Sequence, residues 1–106
     1  MGNPMKIRAA VKDGVTEVKV LMQHEMETGL RKDADGKLVP AWFITEVKAQ
    51  YQGRTVLEAQ FGQSVSKNPY LLFRFKGGAV GEKINVSWID NTGDTRSDEA
   101  AITAQN

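Results

Sequence analysis

The residues best suited to bind a metal ion lie together in one polar segment of the sequence. His24, Glu25 and Glu27 supply an imidazole and two carboxylates, which are side chains that bind zinc and related ions. In an extended chain, however, Glu25 points away from both neighbours, and the chain has no second histidine to complete a typical zinc site. We therefore interpret His24 as a surface histidine beside acidic residues, and we expect no metal or other cofactor.

Two further patterns resemble catalytic or ion-binding motifs but lack essential parts. Ser64 and Ser66 do not lie in a Gly-x-Ser-x-Gly elbow, and only the distant His24 could activate them as nucleophiles. The tetrapeptide Asp33-Ala34-Asp35-Gly36 resembles the start of a calcium loop but lacks the later ligands. A small Asp-Gly hairpin within the long polar segment 23–40 explains it better. These residues therefore predict a binding module and not an enzyme.

Length and composition limit the chain to one domain. Its 106 residues can form a single core, and we treat 1–106 as one domain whose residues 1–4 form a flexible tail. The 14 Lys and Arg residues nearly balance the 13 Asp and Glu residues, and no block of like charge points to nucleic acid or a membrane surface. The chain has no cysteine, which excludes disulfides and thiolate nucleophiles.

Alternation of apolar and polar residues predicts β-strands along the whole chain. In the clearest run, 70–76, Leu71, Phe73 and Phe75 fall on one side, with Asn68-Pro69 before the run and Gly77-Gly78 after it. Similar runs lie near 6–11, 15–22, 41–51, 54–61, 83–90 and 95–103. No helical period of useful length is present. The expected fold is all-β, an antiparallel β-sandwich of about seven strands of the immunoglobulin or fibronectin type.

Several apolar residues lie out of phase with the inward faces of these strands. Five of them are predicted to meet a protein partner: Trp42, Ile44, Val56, Tyr70 and Leu72. Large exposed apolar patches mark interaction sites, whereas single exposed apolar residues mean little. The alternative is that a bulge, or a change of phase at a strand end, turns some of these side chains into the core.

Short motifs in a fixed order run through nearly the whole chain, from about Met5 to Ile102. They comprise Val18-Lys19-Val20-Leu21-Met22, Met26-Glu27-Thr28-Gly29 with Arg31-Lys32-Asp33, Phe43-Ile44-Thr45-Glu46-Val47, Val65-Ser66-Lys67-Asn68-Pro69-Tyr70, and Trp88-Ile89-Asp90-Asn91. Together these motifs resemble the SoxZ family of bacterial sulfur oxidation. Glu25 departs from the family pattern, in which a proline often follows the histidine.

The resemblance implies a role that depends on a partner. SoxZ pairs with SoxY, and thiosulfate and its oxidation intermediates are carried covalently on a cysteine near the C-terminus of SoxY. The chain is then expected to be the scaffold subunit of a periplasmic SoxYZ heterodimer that makes transient contacts with other Sox enzymes. Export would occur together with SoxY, because the chain shows no signal peptide of its own. The resemblance implies no catalytic residues, no cofactor, and no nucleic-acid or membrane partner.

Two other classes of function remain open from the residues alone. A free-standing β-sandwich module for binding or adhesion would need no partner to be soluble. A metal hydrolase built around His24 would need acidic ligands from other strands.

Overall fold

The computed structural model describes residues 2–105, and every regular element in that range is a β-strand. The strands are β1 (Lys6–Lys12), β2 (Val15–Leu21), β3 (Ile44–Tyr51), β4 (Arg54–Gln60), β5 (Tyr70–Lys76), β6 (Lys83–Asp90) and β7 (Thr95–Ala104). These strands lie close to the runs expected from the sequence, so the all-β prediction is confirmed. The turns Asp13-Gly14 and Gln52-Gly53 have positive φ at both residues, as the tightest β-hairpins require.

The seven strands form one continuous sheet in the order β4-β3-β6-β7-β1-β2-β5. Neighbouring strands are antiparallel, except that β1 and β7 run parallel. The sheet folds over a shared apolar core, with β1, β2 and β5 on one side and β3, β4, β6 and β7 on the other. The fully buried core side chains come from both sides and include Val18, Val20, Met22, Val47, Ile84, Val86 and Ile102. The fold is therefore consistent with the expected immunoglobulin-like sandwich.

Ile44 is turned into the core by a register shift at the start of β3. The pairing of β3 with β6 slips between Ile44 and Glu46, which is the effect of a β-bulge. As a result Ile44 and Val47 both face inward although they are an odd number of positions apart, and Ile44 is 0% exposed. The prediction that Ile44 lies on the outer surface is therefore wrong.

Val56 is also displaced by irregular pairing, in this case in β4. Ala49 pairs with Leu57, but the next residue, Gln50, pairs with Thr55, so Val56 has no partner on β3. Its side chain is half-buried and packs against the core. Val56 therefore belongs to the edge of the core, and the expectation that it projects outward from β4 is wrong for the same reason as for Ile44.

The polar segment between β2 and β3 contains the small hairpin expected at Asp35-Gly36. Lys32 and Leu38 form an isolated antiparallel bridge, and Asp33 Oδ1 accepts the N–H groups of Asp35 and Lys37 at 2.9 and 3.0 Å. The Asp33 side chain therefore stabilises a turn, as the Asp-Gly interpretation requires.

The loop before β5 is hydrogen-bonded to the segment that follows β2. The Asn68 N–H donates to the His24 carbonyl oxygen at 2.9 Å, and Asn68 Oδ1 accepts the His24 N–H at 3.1 Å. The Pro69 carbonyl oxygen accepts the Met22 N–H at 2.9 Å. Asn68 adopts a left-handed φ of 54°, which asparagine tolerates better than most residues. This loop thereby sets the position of His24.

The N-terminal residues run beside β7. The Gly2 N–H donates to the Thr95 carbonyl oxygen at 3.1 Å, and the Met5 N–H donates to Asp98 Oδ2 at 2.9 Å. Met1, the first residue of the expected tail 1–4, lies outside the described residues. The flexibility of that tail stays a prediction.

Candidate functional site

His24 is buried at the end of the sandwich and is hydrogen-bonded to an aspartate of β6. It is 5% exposed, and its Nε2 lies 3.1 Å from Asp90 Oδ2. Its Nδ1 accepts the Met26 N–H at 3.1 Å, so the ring proton belongs on Nε2, which donates to Asp90. The interpretation of His24 as a surface histidine is therefore wrong. The two glutamates near it in sequence form ion pairs with exposed cations instead: Glu25 pairs with Lys67, and Glu27 pairs with Arg31.

The Asp90 carboxylate collects five hydrogen-bond donors. Oδ1 accepts the N–H and hydroxyl of Thr92 at 2.9 and 2.6 Å and the Asp94 N–H at 3.0 Å, while Oδ2 accepts His24 Nε2–H and the Trp42 indole N–H at 3.1 and 2.9 Å. Burial alone would raise the pKa of Asp90, but hydrogen bonds from Thr92, His24 and Trp42 outweigh that effect and lower it from 3.8 to about 2.

These bonds leave the Asp90 carboxylate no free lone pair for a substrate or a metal ion. A carboxylate offers about four lone-pair positions, and the five donors occupy them. Asp90 is therefore not arranged to take a proton from a substrate or to bind a metal ion. In the part of the chain from residue 2 to residue 105, no group of three or more His, Cys, Asp or Glu side chains is placed to hold a metal.

Two indole rings enclose the imidazole of His24. Its centroid lies 4.9 Å from that of Trp42 at an interplanar angle of 56°, and 5.2 Å from that of Trp88 in an edge-to-face arrangement. Such geometries are favourable for aromatic pairs. Together with the indole N–H bond to Asp90, they hold the Trp42 ring in one orientation at the surface, where the residue is 38% exposed.

A cavity of about 530 Å³ opens beside this cluster. Its lining includes His24, Trp42 and Trp88, and also Leu21 and Lys6 from the outer face of β1 and β2. The cavity therefore connects the buried cluster and Trp42 with the outer surface of the β1-β2-β5 layer. It is lined by both apolar and charged side chains.

Three exposed apolar residues form a strip on the outer face of β2 and β5, which consists of Leu21, Tyr70 and Leu72. Leu21 pairs directly with Tyr70 across β2 and β5, and Leu72 follows two residues later on the same face of β5. Tyr70 is 60% and Leu72 42% exposed. Trp42 lies at the cavity that Leu21 also lines. The structure thus brings Trp42, Tyr70 and Leu72 to one side of the molecule and excludes Ile44 and Val56 from that set.

The family relationship follows from a comparison with protein-family models. The model described as sulphur oxidation protein SoxZ matches residues 5–101. The chain belongs to the SoxZ family. It therefore has a role in sulfur oxidation, and because SoxZ is a non-catalytic subunit, it is not an enzyme. A Sox complex partner follows from the family in general terms.

The solved structures that resemble this SoxZ-family chain share its fold at low sequence identity. Superoxide reductase (neelaredoxin) from Archaeoglobus fulgidus in the reduced form has a TM-score of 0.59 at 20% identity, and the match covers 94% of this chain and 87% of that one. The same enzyme from Ignicoccus hospitalis has a TM-score of 0.59 at 17% identity, and the match covers 97% of this chain and 81% of that one. A hypothetical protein from Pyrococcus horikoshii OT3 has a TM-score of 0.62 at 16% identity, and the match covers 93% of this chain and 87% of that one. At these identities the likeness shows the fold alone.

No curated protein sequence matched this SoxZ-family chain. Within residues 2–105 there is no helix with the length and apolar character needed to cross a lipid bilayer.

Sequence reasoning missed Asp90, although a signal for it was present. Ile84, Val86 and Trp88 alternate inward along β6, and the same period places Asp90 inward as well. A carboxylate at a core position indicates a buried hydrogen-bonded cluster, since buried charges need partners. The donors from His24 and Trp42 lie 66 and 48 residues away in sequence and could not be identified by spacing.

Proposed function

We propose that this chain is the scaffold subunit of a periplasmic SoxYZ carrier. It binds SoxY, and the cysteine near the C-terminus of SoxY carries the sulfur intermediates as covalent conjugates while other Sox enzymes act on them. The observation that carries this proposal is the SoxZ family match over residues 5–101 in a chain without cysteine. A covalent sulfur carrier of this kind needs a thiolate, so a second chain has to supply it.

The contact surface proposed for SoxY is the apolar strip of Leu21, Tyr70 and Leu72 together with Trp42. These side chains are exposed in the isolated chain, and they include the aromatic types that most often dominate protein interfaces. Trp42 is also held by its bond to Asp90 and by its contact with His24. A side chain that is already fixed loses little conformational entropy on binding, which favours a tight complex.

Co-purification with SoxY tests this surface. Leu72→Asp would replace an apolar contact by a carboxylate that SoxY must desolvate even though Lys19 lies opposite it, at a cost of several kcal/mol, and we expect it to abolish co-purification. Ile89→Asp is the matched control, since Ile89 is an exposed apolar residue on the outer face of the opposite layer. Both variants should show wild-type circular dichroism. Loss of SoxY from both variants, or from neither, would contradict the proposed surface.

The site of sulfur attachment is tested by mass. The purified chain is incubated with thiosulfate and the upstream Sox enzymes, with and without SoxY, and the intact masses of both subunits are recorded. We expect adducts on SoxY only. A covalent sulfur adduct on this chain in the absence of SoxY would overturn the scaffold assignment.

The periplasmic location is tested by fractionation. The chain is expressed with SoxY that has or lacks its export signal, and each subunit is located in the periplasmic or cytoplasmic fraction. Joint export predicts that this chain follows SoxY in both cases. Export of the chain without SoxY would contradict joint export.

A further inference from the structure

Positive charge is concentrated on the outer face of the β1-β2-β5 layer. The register of β1 on β2 and of β2 on β5 places every second residue of each strand on that face. Six of these outward residues are cationic and all six are exposed: Lys6, Arg8, Lys12, Lys19, Arg74 and Lys76. We call this set the basic face. The whole chain has a formal charge of only +1, so the basic face is a local feature that the composition conceals.

Within residues 2–105, most of these cations have no acidic partner. Glu17 is the one acidic residue among the outward positions of the three strands, and its carboxylate lies 2.6 Å from Arg74 and 3.8 Å from Lys19. Among residues 2–105 no ion pair is formed by the other four members of the basic face, which are Lys6, Arg8, Lys12 and Lys76.

The opposite layer is arranged differently. Lys48 on β3 lies 3.3 Å from Glu46, and Lys83 on β6 lies 3.3 Å from Glu99. The lysines at outward positions of β3 and β6 are thus each neutralised by a neighbouring glutamate. Of the cations on the strands of that layer, Arg54 of β4 is the one that forms no ion pair within residues 2–105, so unpaired strand cations are concentrated in the β1-β2-β5 layer.

We propose that the basic face docks on an acidic surface of SoxY. This inference rests on the proposed function and adds the chemical character of the partner's contact surface. The apolar strip lies within the same face, because Lys6 pairs with Leu21 and Lys19 pairs with Leu72. The face thus combines an apolar strip that contains tyrosine with polar, charged residues beside it, and protein interfaces likewise join an apolar part to a polar rim.

A nucleic acid or an anionic membrane fits this face less well. The apolar strip of Leu21, Tyr70 and Leu72 interrupts the cations at one end, and Glu17 lies near the middle of the face, where it would oppose a phosphate. A partner protein can place apolar groups on the strip and carboxylates on the cations at the same time. This complementarity also steers association, so binding should be faster at low ionic strength.

Matched charge-reversal variants test the proposal. Arg8→Glu/Lys19→Glu alters two paired positions of the basic face, whereas Lys48→Glu/Lys83→Glu makes the same change in net charge on the opposite layer. The association rate constant with SoxY is measured by stopped flow as a function of salt. At about 0.05 M ionic strength we expect the first variant to bind about tenfold more slowly than wild type or worse, and the second to stay within about twofold. The difference should vanish above about 0.5 M, where screening lengths become short.

The neutral variant Arg8→Gln/Lys19→Gln controls for misfolding caused by charge reversal, since it removes the positive charges without adding negative ones. It should bind at a rate between those of wild type and the reversed variant, and thermal melts should show all variants folded. Equal rates for wild type, reversed and neutral variants would overturn the inference while leaving SoxY binding intact. Failure of the wild-type chain to bind SoxY at all would overturn the proposed function and this inference together. Binding of duplex DNA or phosphatidylglycerol vesicles that is lost in the reversed variant, with SoxY binding unchanged, would assign the basic face to another partner.

Discussion

The Asp90 cluster can be tested by replacing the carboxylate with its neutral isostere. In Asp90→Asn, the remaining oxygen can still accept the donors from Thr92 and Asp94. The new amide NH₂, however, faces His24 Nε2–H and the Trp42 indole N–H, which are both donors. Moving the ring proton of His24 to Nδ1 does not help, because that atom faces the Met26 N–H. Flipping the amide would restore these two bonds but would turn its NH₂ toward the Thr92 and Asp94 N–H donors, so the substitution costs two hydrogen bonds in either orientation.

The expected loss of stability follows from these two bonds. A hydrogen bond to a charged group contributes about 1.5–3 kcal/mol, so two such bonds correspond to about 3–6 kcal/mol. Trp42 is partly exposed and its indole N–H can be hydrated after a small movement, which favours the lower half of that range, about 3–4 kcal/mol. Domains of this size are stable by about 5–15 kcal/mol, so the variant should fold but should unfold at clearly lower denaturant concentration.

Urea unfolding of the full chain, followed by tryptophan fluorescence and circular dichroism, measures this loss. Asp35→Asn is the matched control, since it makes the same chemical change at an exposed turn residue and should alter stability by less than about 0.5 kcal/mol. A loss below about 1 kcal/mol for Asp90→Asn would refute the view that the carboxylate is a fully bonded, charged acceptor.

The same carboxylate makes stability depend on acid pH. Because the pKa of Asp90 falls from 3.8 to about 2 on folding, its ionised form stabilises the native state fully above about pH 4. That contribution, about 2 kcal/mol, is lost as the pH drops through about 2. Wild type should therefore lose stability between pH 4 and pH 2 more steeply than Asp90→Asn. Parallel pH profiles of the two proteins would contradict the assignment.

Two further substitutions test the core. Ile44→Asp should destabilise the chain by more than about 4 kcal/mol, since it buries an unpaired charge, whereas Leu72→Asp should leave the chain folded. If circular dichroism and thermal melts show a folded Ile44→Asp protein, the register shift in β3 is contradicted. Gly78→Ala and Gly14→Ala both strain a residue with positive φ, but only at Gly78 would the new Cβ meet Thr16 Oγ1. Gly78→Ala should therefore lower the free energy of unfolding in urea by about 1–3 kcal/mol more than Gly14→Ala, and equal losses would show that Thr16 can move aside.

Much of the fold could be predicted because alternation along a strand is a local property. The inward residues of β5, Leu71, Phe73 and Phe75, are those expected from the sequence, since an apolar side chain at every second position has one way to be buried. Ile44 and Val56 could not be placed in this way. A bulge depends on how two strands pair, and neither the residue types near Ile44 nor those near Val56 encode that pairing locally.

The candidate site was less accessible to sequence reasoning because its contacts join distant parts of the chain. His24 was noticed for its chemistry, but its burial depends on Asn68 and Pro69, which anchor the segment between Met22 and His24. The acceptor for both His24 and Trp42 is Asp90 on β6. A polar residue at an inward position shows that partners must exist, but only the assembled strands show which partners they are.

Strand register also decides whether the apolar strip and the basic face are one surface or two. Lys6 lies opposite Leu21, and Lys19 lies opposite Leu72, so cations and apolar side chains are direct neighbours across adjacent strands and do not form separate patches. A partner large enough to cover Tyr70 and Leu72 must also approach Lys19, because paired residues on adjacent strands lie only about 5 Å apart. Apolar burial and charge complementarity on this layer therefore belong to the same contact. Two different partners could not use them at the same time.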